Sequence, residues 1–411
     1  MSSTPHGEAR PDCLSRLGLP RTVVVLGGVS LLTDASSEMI YPLLPLFLAT
    51  SLGTSAAFLG LIEGVAESTA SLVKLFSGWW SDRLGHRKAI VVGGYALSAF
   101  ARPLVALAGS GWHVLAIRFT DRLGKGLRTA PRDALIAAAT PEASWGRAFG
   151  FHRAMDHAGA VVGPLMAFAL LATVVEDLRV VFALAAIPGV LAVLLLATQV
   201  ADAPIAPGER PRPSPISLAP FPSRFRAVLG VVILFTLGNS SDAFLLLKAH
   251  AVGISASAIP LLWIALHLSK SLSSTPAGTL SDRIGRPRLI IAGWLVYAAV
   301  YGGFALATDA WQVWALFIVY GTFFGLTEGV EKAYVADLAP PELRGTAYGF
   351  YHAAVGLAAL PASVLMGIVW DLAGSAAAFT VGACLALASA GLFLLLLRYP
   401  AMREETPAAR L

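Results

Sequence analysis

Gly78-Trp79-Trp80-Ser81-Asp82-Arg83-Leu84-Gly85-His86-Arg87 returns 200 positions later as Gly278-Thr279-Leu280-Ser281-Asp282-Arg283-Ile284-Gly285-Arg286-Pro287-Arg288. Each copy lies between two long apolar runs. Its glycine permits a tight turn, its aspartate is placed to face the positive end of a neighbouring helix, and its arginines can pair with acids at adjacent helix ends. Further matches occur in the same order: Thr33-Asp34-Ala35 with Ser241-Asp242-Ala243, and Pro141-Glu142 before Gly150-Phe151 with Pro341-Glu342 before Gly349-Phe350. The chain reads as an internal duplication.

The rest of the sequence says where such a duplication lives. Of 411 residues, 56% are hydrophobic and 13% charged, against about 25% charged in soluble domains. The mean hydropathy is +0.71. A water-soluble enzyme is excluded, and the net charge of +5 accompanies a composition that makes the partner a lipid bilayer rather than a nucleic acid. Two cysteines, Cys13 and Cys384, form neither a disulfide framework nor a metal-ligand cluster. Gly124-Lys125-Gly126 lacks the rest of a phosphate loop and no dinucleotide fingerprint occurs, so no metal and no cofactor is predicted, and an ion gradient is left as the source of work. The first 20 residues hold Pro5, Pro11, Asp12 and Arg16 without an apolar leader core, so the first span is expected to be retained.

At about 20 residues per crossing, apolar spans fall near 21–49, 55–81, 89–109, 112–138, 144–173, 178–200, 226–250, 256–281, 288–307, 311–338, 344–370 and 375–398. The expected fold is all-α and integral to the membrane, with twelve transmembrane helices in two pseudo-symmetric six-helix bundles. The boundaries are a tail at 1–20, a bundle at 21–200, a linker at 201–225, a second bundle at 226–398 and a tail at 399–411. The stretch Ala201 to Arg226 carries seven prolines and four arginines, which block helix continuation and resist insertion. Lys and Arg collect in alternate connections, such as Arg83, Arg87 and Lys88 after the second span and Arg283, Arg286 and Arg288 after the eighth. By the positive-inside rule both termini are expected in the cytoplasm of a bacterial inner membrane.

With its doubled loop the chain resembles the major facilitator superfamily of secondary transporters over essentially its whole length, and the string D-R-L-G-K-G-L-R-T-A-P-R-D from Asp121 to Asp133 resembles a little-characterised prokaryotic branch of it. Gly78, Asp82, Arg83, Gly85 and Arg87, with Asp282 and Arg283, match that family's loop signature; His86 and Pro287 depart from it. The resemblance implies a cytoplasmic gate at these residues, and by depth Asp133 is the nearest acid for the arginines. Arg122 with Gly126 resembles the family's fourth-span motif, whose arginine is implicated in proton transfer. Gly159, Gly163 and Pro164 resemble its antiporter motif, although Leu165 to Phe168 departs from it; general small-residue helix packing explains the same pattern equally well.

Charges inside the spans carry the functional reading. Arg118, Asp121, Arg122, Lys125, Arg128, Arg132 and Asp133 fall within about 140° of one helix face. Facing lipid, each would cost about 3 kcal/mol, so the stripe must face protein or water. A structural salt-bridge network explains many of these charges, because Asp34, Glu38, Glu63, Glu67, Lys74 and Arg102 lie on neighbouring spans. Asp34 and Glu38 share one face of the first span at i, i+4. A buried carboxylate without a fixed cationic partner suits proton binding and release, and these two are the first choices. Arg153 and Asp156 on the fifth span, Asp242 on the seventh, and Glu328 and Lys332 on the tenth complete the predicted proton-coupling and substrate set. A Glu328–Lys332 ion pair is the conservative reading there, and His267, Lys270, Glu331 and His352 are further polar residues within the spans of the second half.

The resulting expectation is a monomeric secondary active transporter that moves an anionic, zwitterionic or amphipathic small molecule by alternating access, with protons as coupling ion and export favoured. Uptake by symport is the alternative; a polytopic membrane enzyme or a transporter-like sensor is weaker.

Overall fold

The computed structural model describes residues 13–14, 19–84, 87–140, 145–174, 177–200, 217–339 and 344–398. Apart from a two-residue antiparallel pairing of Cys13–Leu14 with Leu19–Pro20, the regular structure is helical. The helices are α1 Arg21–Ile40, α2 Ala56–Leu84, α3 Arg87–Ala101, α4 Gly111–Ala138, α5 Trp145–Thr173, α6 Leu178–Leu184, α7 Ala186–Gln199, α8 Ser223–Gly238, α9 Ala243–Ala251, α10 Ile259–Ile284, α11 Arg286–Leu306, α12 Ala310–Leu338 and α13 Arg344–Arg398.

Their interruptions have local causes. Pro42 and Pro45 lack the N–H that would continue α1, and the chain instead runs through a 3-10 turn at Tyr41–Leu43, a short α turn at Leu44–Leu46 and a π turn at Phe47–Ser51. Pro103 likewise turns the end of α3 into a 3-10 segment, Arg102–Leu107. The 55 residues of α13 are broken at Gly374, whose φ of 84° and ψ of 169° are open essentially to glycine alone. Between α8 and α9 the backbone from Asn239 to Asp242 leaves the helix, a break that matters below.

Among the described residues nine helical stretches are long and apolar enough to cross a membrane. α4, with 28 residues, and α10, with 26, have the length without the apolarity. α4 is the helix with the charged stripe. Large apolar side chains cover the outside, with Leu107, Leu306 and Leu372 each about four-fifths exposed, a surface suited to lipid.

In the first copy α1 packs on α5 and α7, α2 on α4, and α3 on α4 and α7. In the second, α10 packs on α12, α11 on α12 and α13, and α8 on α13. The two copies meet along α2 with α13 and along α5 with α10. Their interiors differ in chemistry. The second is held by aromatic packing, with Phe235 stacked on Trp294 at 4.6 Å and Tyr297 on Tyr301 at 4.1 Å. The first buries ions: Arg102, Arg118, Asp121 and Arg128 are all buried.

Candidate central cavity

A cavity of about 510 Å³ opens between the copies. Helical spacing sets its walls. Glu63 and Glu67 on α2, Arg122 and Lys125 on α4, and Trp263, His267 and Lys270 on α10 recur at i, i+3, i+4 or i+7, so each set shares a helix face. α1 and its 3-10 extension supply Glu38 and Tyr41, α12 supplies Phe324 and Glu328, and α13 supplies Ser363. The break between α8 and α9 brings Asn239, Ser240, Ser241 and Asp242 to the wall.

Contacts that join the two copies run beside the cavity, from Ser68 at mid-helix out to the start of α2. Trp263 Nε1–H donates to Glu38 Oε2 at 2.7 Å, and the Trp263 ring lies 5.1 Å from that of Tyr41. Ser68 donates to the Gly356 carbonyl at 2.6 Å. Farther out, Asp371 accepts from the backbone N–H of Ala56 and Ala57 at 2.9 and 2.8 Å, capping the start of α2 from the other copy.

The charged stripe of α4 divides between two tasks. Arg118 donates to both oxygens of Glu63 at 2.8 and 2.9 Å. Asp121 pairs with Arg102 at 2.8 Å, and Arg102 also donates to the Thr33 carbonyl at 2.9 Å. Arg128 donates to Ser98 at 2.7 Å and lies 4.4 Å over the Tyr95 ring. These groups form a buried network in which each charge has a partner, while Arg118 Nε is left without a hydrogen bond. Arg122 and Lys125 instead reach the cavity wall. Arg132 turns to its neighbour Asp133 at 2.8 Å.

Of the ten residues expected to form a coupling and substrate site, Glu38, Arg122, Lys125, Asp242 and Glu328 line the cavity. Arg118 lies behind it, bound to Glu63. Asp156 accepts from Ser30 and sits 3.6 Å from His152 Nδ1 and 3.7 Å from an Arg153 that is itself mostly exposed. Asp34 is one helical turn from Glu38 and outside the wall. Lys332 stands 3.8 Å from Glu328, but the closer cation is Lys270 at 2.9 Å, so the pair expected within α12 is chiefly one between α10 and α12. Glu331 accepts from Trp294 at 3.0 Å and Tyr351 at 2.6 Å. Sequence spacing passed over Trp263 and Phe324, and it left Glu63, Glu67, His267 and Lys270 outside the predicted site; the i, i+4, i+7 run on α10 is the signal that finds three of them.

Gly159 and Gly163 press α5 onto α1: a Cβ on either would stand 2.5 Å from the carbonyl oxygen of Leu31 or Ala35. Pro164 follows within α5. In the expected gate, Gly85 lies outside the described residues, as do the side chains of Asp82, Arg83 and Asp282 and the surroundings of Gly78. Arg87 opens α3, and Arg283 is exposed at the end of α10. In the second loop Arg286 pairs with Asp337 and donates to the Ala333 carbonyl at 2.8 Å. The linker through residue 216 and both tails as far as 1–12 and 399–411 also lie outside the described residues.

The family model described as Major Facilitator Superfamily matches residues 26–247 and 227–410. The chain belongs to the major facilitator superfamily. An MFS-type transporter of Methanocaldococcus jannaschii is 34% identical over 92% of this chain and 95% of its own. The multidrug resistance protein MdtH of Cronobacter sakazakii is 26% identical over 76% of this chain and 77% of its own. A bacterial homologue of the lysosomal transporter Spinster, solved inward-facing and unoccupied, superposes with a TM-score of 0.77 at 16% identity over 94% of this chain and 98% of that one. The nucleoside transporter NupG gives 0.75 at 14% identity over 92% of this chain and 99% of that one. The protein is thus a multi-pass membrane transporter of small molecules and not an enzyme.

Proposed function

We propose that this major facilitator transporter is a proton-coupled exporter working by alternating access. Its twelve crossings are the nine apolar stretches, the less apolar α4 and α10, and the second helix that Gly374 makes of α13. They form six-helix bundles at 21–200 and 226–398, joined by a linker at 201–225, with both termini in the cytoplasm of a bacterial inner membrane. The transporter acts as a monomer. In that orientation the end at which Asp371 caps α2 is external, and the chain is in its inward-facing state.

The observation that carries the coupling is Glu38. This carboxylate lies at the cavity, is held by the neutral donor Trp263, and has no ion pair within 4.0 Å among the described residues. It can therefore take up a proton without breaking a salt bridge, and the proton alters the hydrogen bond that ties the two copies together. A ligand or proton biases a conformational equilibrium only through such a difference between states. Export is supported by the Gly159, Gly163 and Pro164 pattern and by the likeness to a multidrug resistance protein. The cytoplasmic gate is assigned to Gly78, Asp82, Arg83, Gly85, Arg87, Asp133, Asp282 and Arg283. Reconstitution in vesicles of defined orientation tests direction: solute should leave the side bearing the termini when protons are supplied opposite. Accumulation that follows protons in the same direction would establish symport instead.

A further inference from the structure

The charges in the cavity wall do not all find a partner of opposite charge, although Trp263 donates to Glu38 and Tyr320 to Asp242, both at 2.7 Å, and those left over describe the solute. Glu63 is taken by Arg118, and Lys270 and Glu328 hold each other. Glu38, Glu67 and Asp242 remain on the acidic side and Arg122 and Lys125 on the basic side, all in the wall of one cavity. No ion pair within 4.0 Å joins any of the five to an opposite charge among the described residues. Opposite charges that border the same space and stay apart are expensive to leave so.

The two signs are sorted by helix. Arg122 and Lys125 project from α4. Arg122 is 8% exposed, and its Nε is buried without a hydrogen-bond partner. Glu38 and Asp242 belong to α1 and to the break before α9, and the acid at Glu38 is bordered by the Tyr41 and Trp263 rings, a combination of carboxylate and aromatic faces that suits an ammonium group. Leu266, Val355 and Ala359 add apolar wall to the same cavity. The volume falls within the roughly 300–1,000 Å³ usual for small-molecule sites.

We infer that the solute is a zwitterion whose cationic and anionic groups are separated by a short apolar or aromatic body, its anion held by Arg122 and Lys125 and its cation by Glu38 and Asp242. A proton on Glu38 then competes with the solute's cation, which is the coupling reading on which this inference rests. A solute of one sign would leave the opposite pole unpaired, and buried unpaired polar groups are what give a site its power to reject.

The test uses matched sets of probes on purified protein. One set is 4-(aminomethyl)phenylacetic acid, its methyl ester as the cation and its N-acetyl derivative as the anion. The other is 6-aminohexanoic acid, its methyl ester and its N-acetyl derivative. Thermal shift and calorimetry should show the zwitterion of at least one set binding about tenfold or more tightly than either singly charged relative. Arg122→Ala with Lys125→Ala should abolish that advantage while the cation retains its affinity, and the ligand-free melting temperature reports whether the variant is folded. Asp242→Asn should weaken zwitterion and cation alike and leave the anion unchanged. Tighter binding of a singly charged relative, or no binding by any probe, overturns the inference. A zwitterion that binds as described but is not driven by a pH gradient leaves the inference standing and removes the coupling reading instead.

Discussion

Asp371 and Ala56 lie 315 positions apart, yet the carboxylate of the first accepts the backbone N–H of the second at 2.9 Å. With the neighbouring bond to Ala57 at 2.8 Å, the end of one helix in the second copy caps the start of another in the first. A carboxylate at a helix N-terminus is favoured by both the free N–H groups and the helix dipole. Asp371→Ala removes this contact from the inward-facing state. A change of about 1–2 kcal/mol shifts an equilibrium roughly five- to thirtyfold. The readout is a cysteine at Ser241, in the cavity wall, in a background with Cys13 and Cys384 replaced: impermeant maleimide from outside should label it several times faster in the variant.

The Glu63–Arg118 pair and Lys125 make a contrasting stability prediction. Glu63→Gln leaves Arg118 buried with only a distant second acid, Asp121 at 3.9 Å, and breaking a buried pair costs about 3–5 kcal/mol. Lys125→Ala breaks no ion pair among the described residues and should cost less than about 1 kcal/mol. Thermal denaturation of the two variants in detergent checks the order.

Lys270 and Glu328 join α10 to α12 at 2.9 Å. Lys270→Glu sets two acids against each other and should reduce transport about tenfold or more. Lys270→Glu with Glu328→Lys restores the attraction and should recover most of the flux. Recovery would be absent if Glu328 answered mainly to Lys332.

Gly163 has no room for a side chain beside the Ala35 carbonyl. Gly163→Val should destabilise the α1–α5 contact by about 1–3 kcal/mol through overpacking, seen as a lower melting temperature and a smaller folded yield.

The duplication, the all-helical membrane architecture and the polar face of α4 were legible in the sequence because composition and helical period encode them directly. Which charges on a face do which task was not. Asp34 and Glu38 share a face by spacing, but only Glu38 reaches the cavity, since one turn of helix moves a side chain about 5.4 Å along the axis. Arg118 and Arg122 are likewise one turn apart, and the position of Glu63 on a different helix decides which of them is consumed. Trp263 was hidden because an aromatic residue in an apolar span reads as core until its partner across the duplication is known.

Glu38 is the residue on which the coupling account turns. In proteoliposomes containing Glu38→Gln, exchange of labelled solute across the membrane without a gradient should persist, while accumulation driven by a pH gradient should fall to the level of protein-free vesicles. Gradient-driven accumulation at the wild-type rate in that variant would contradict the account.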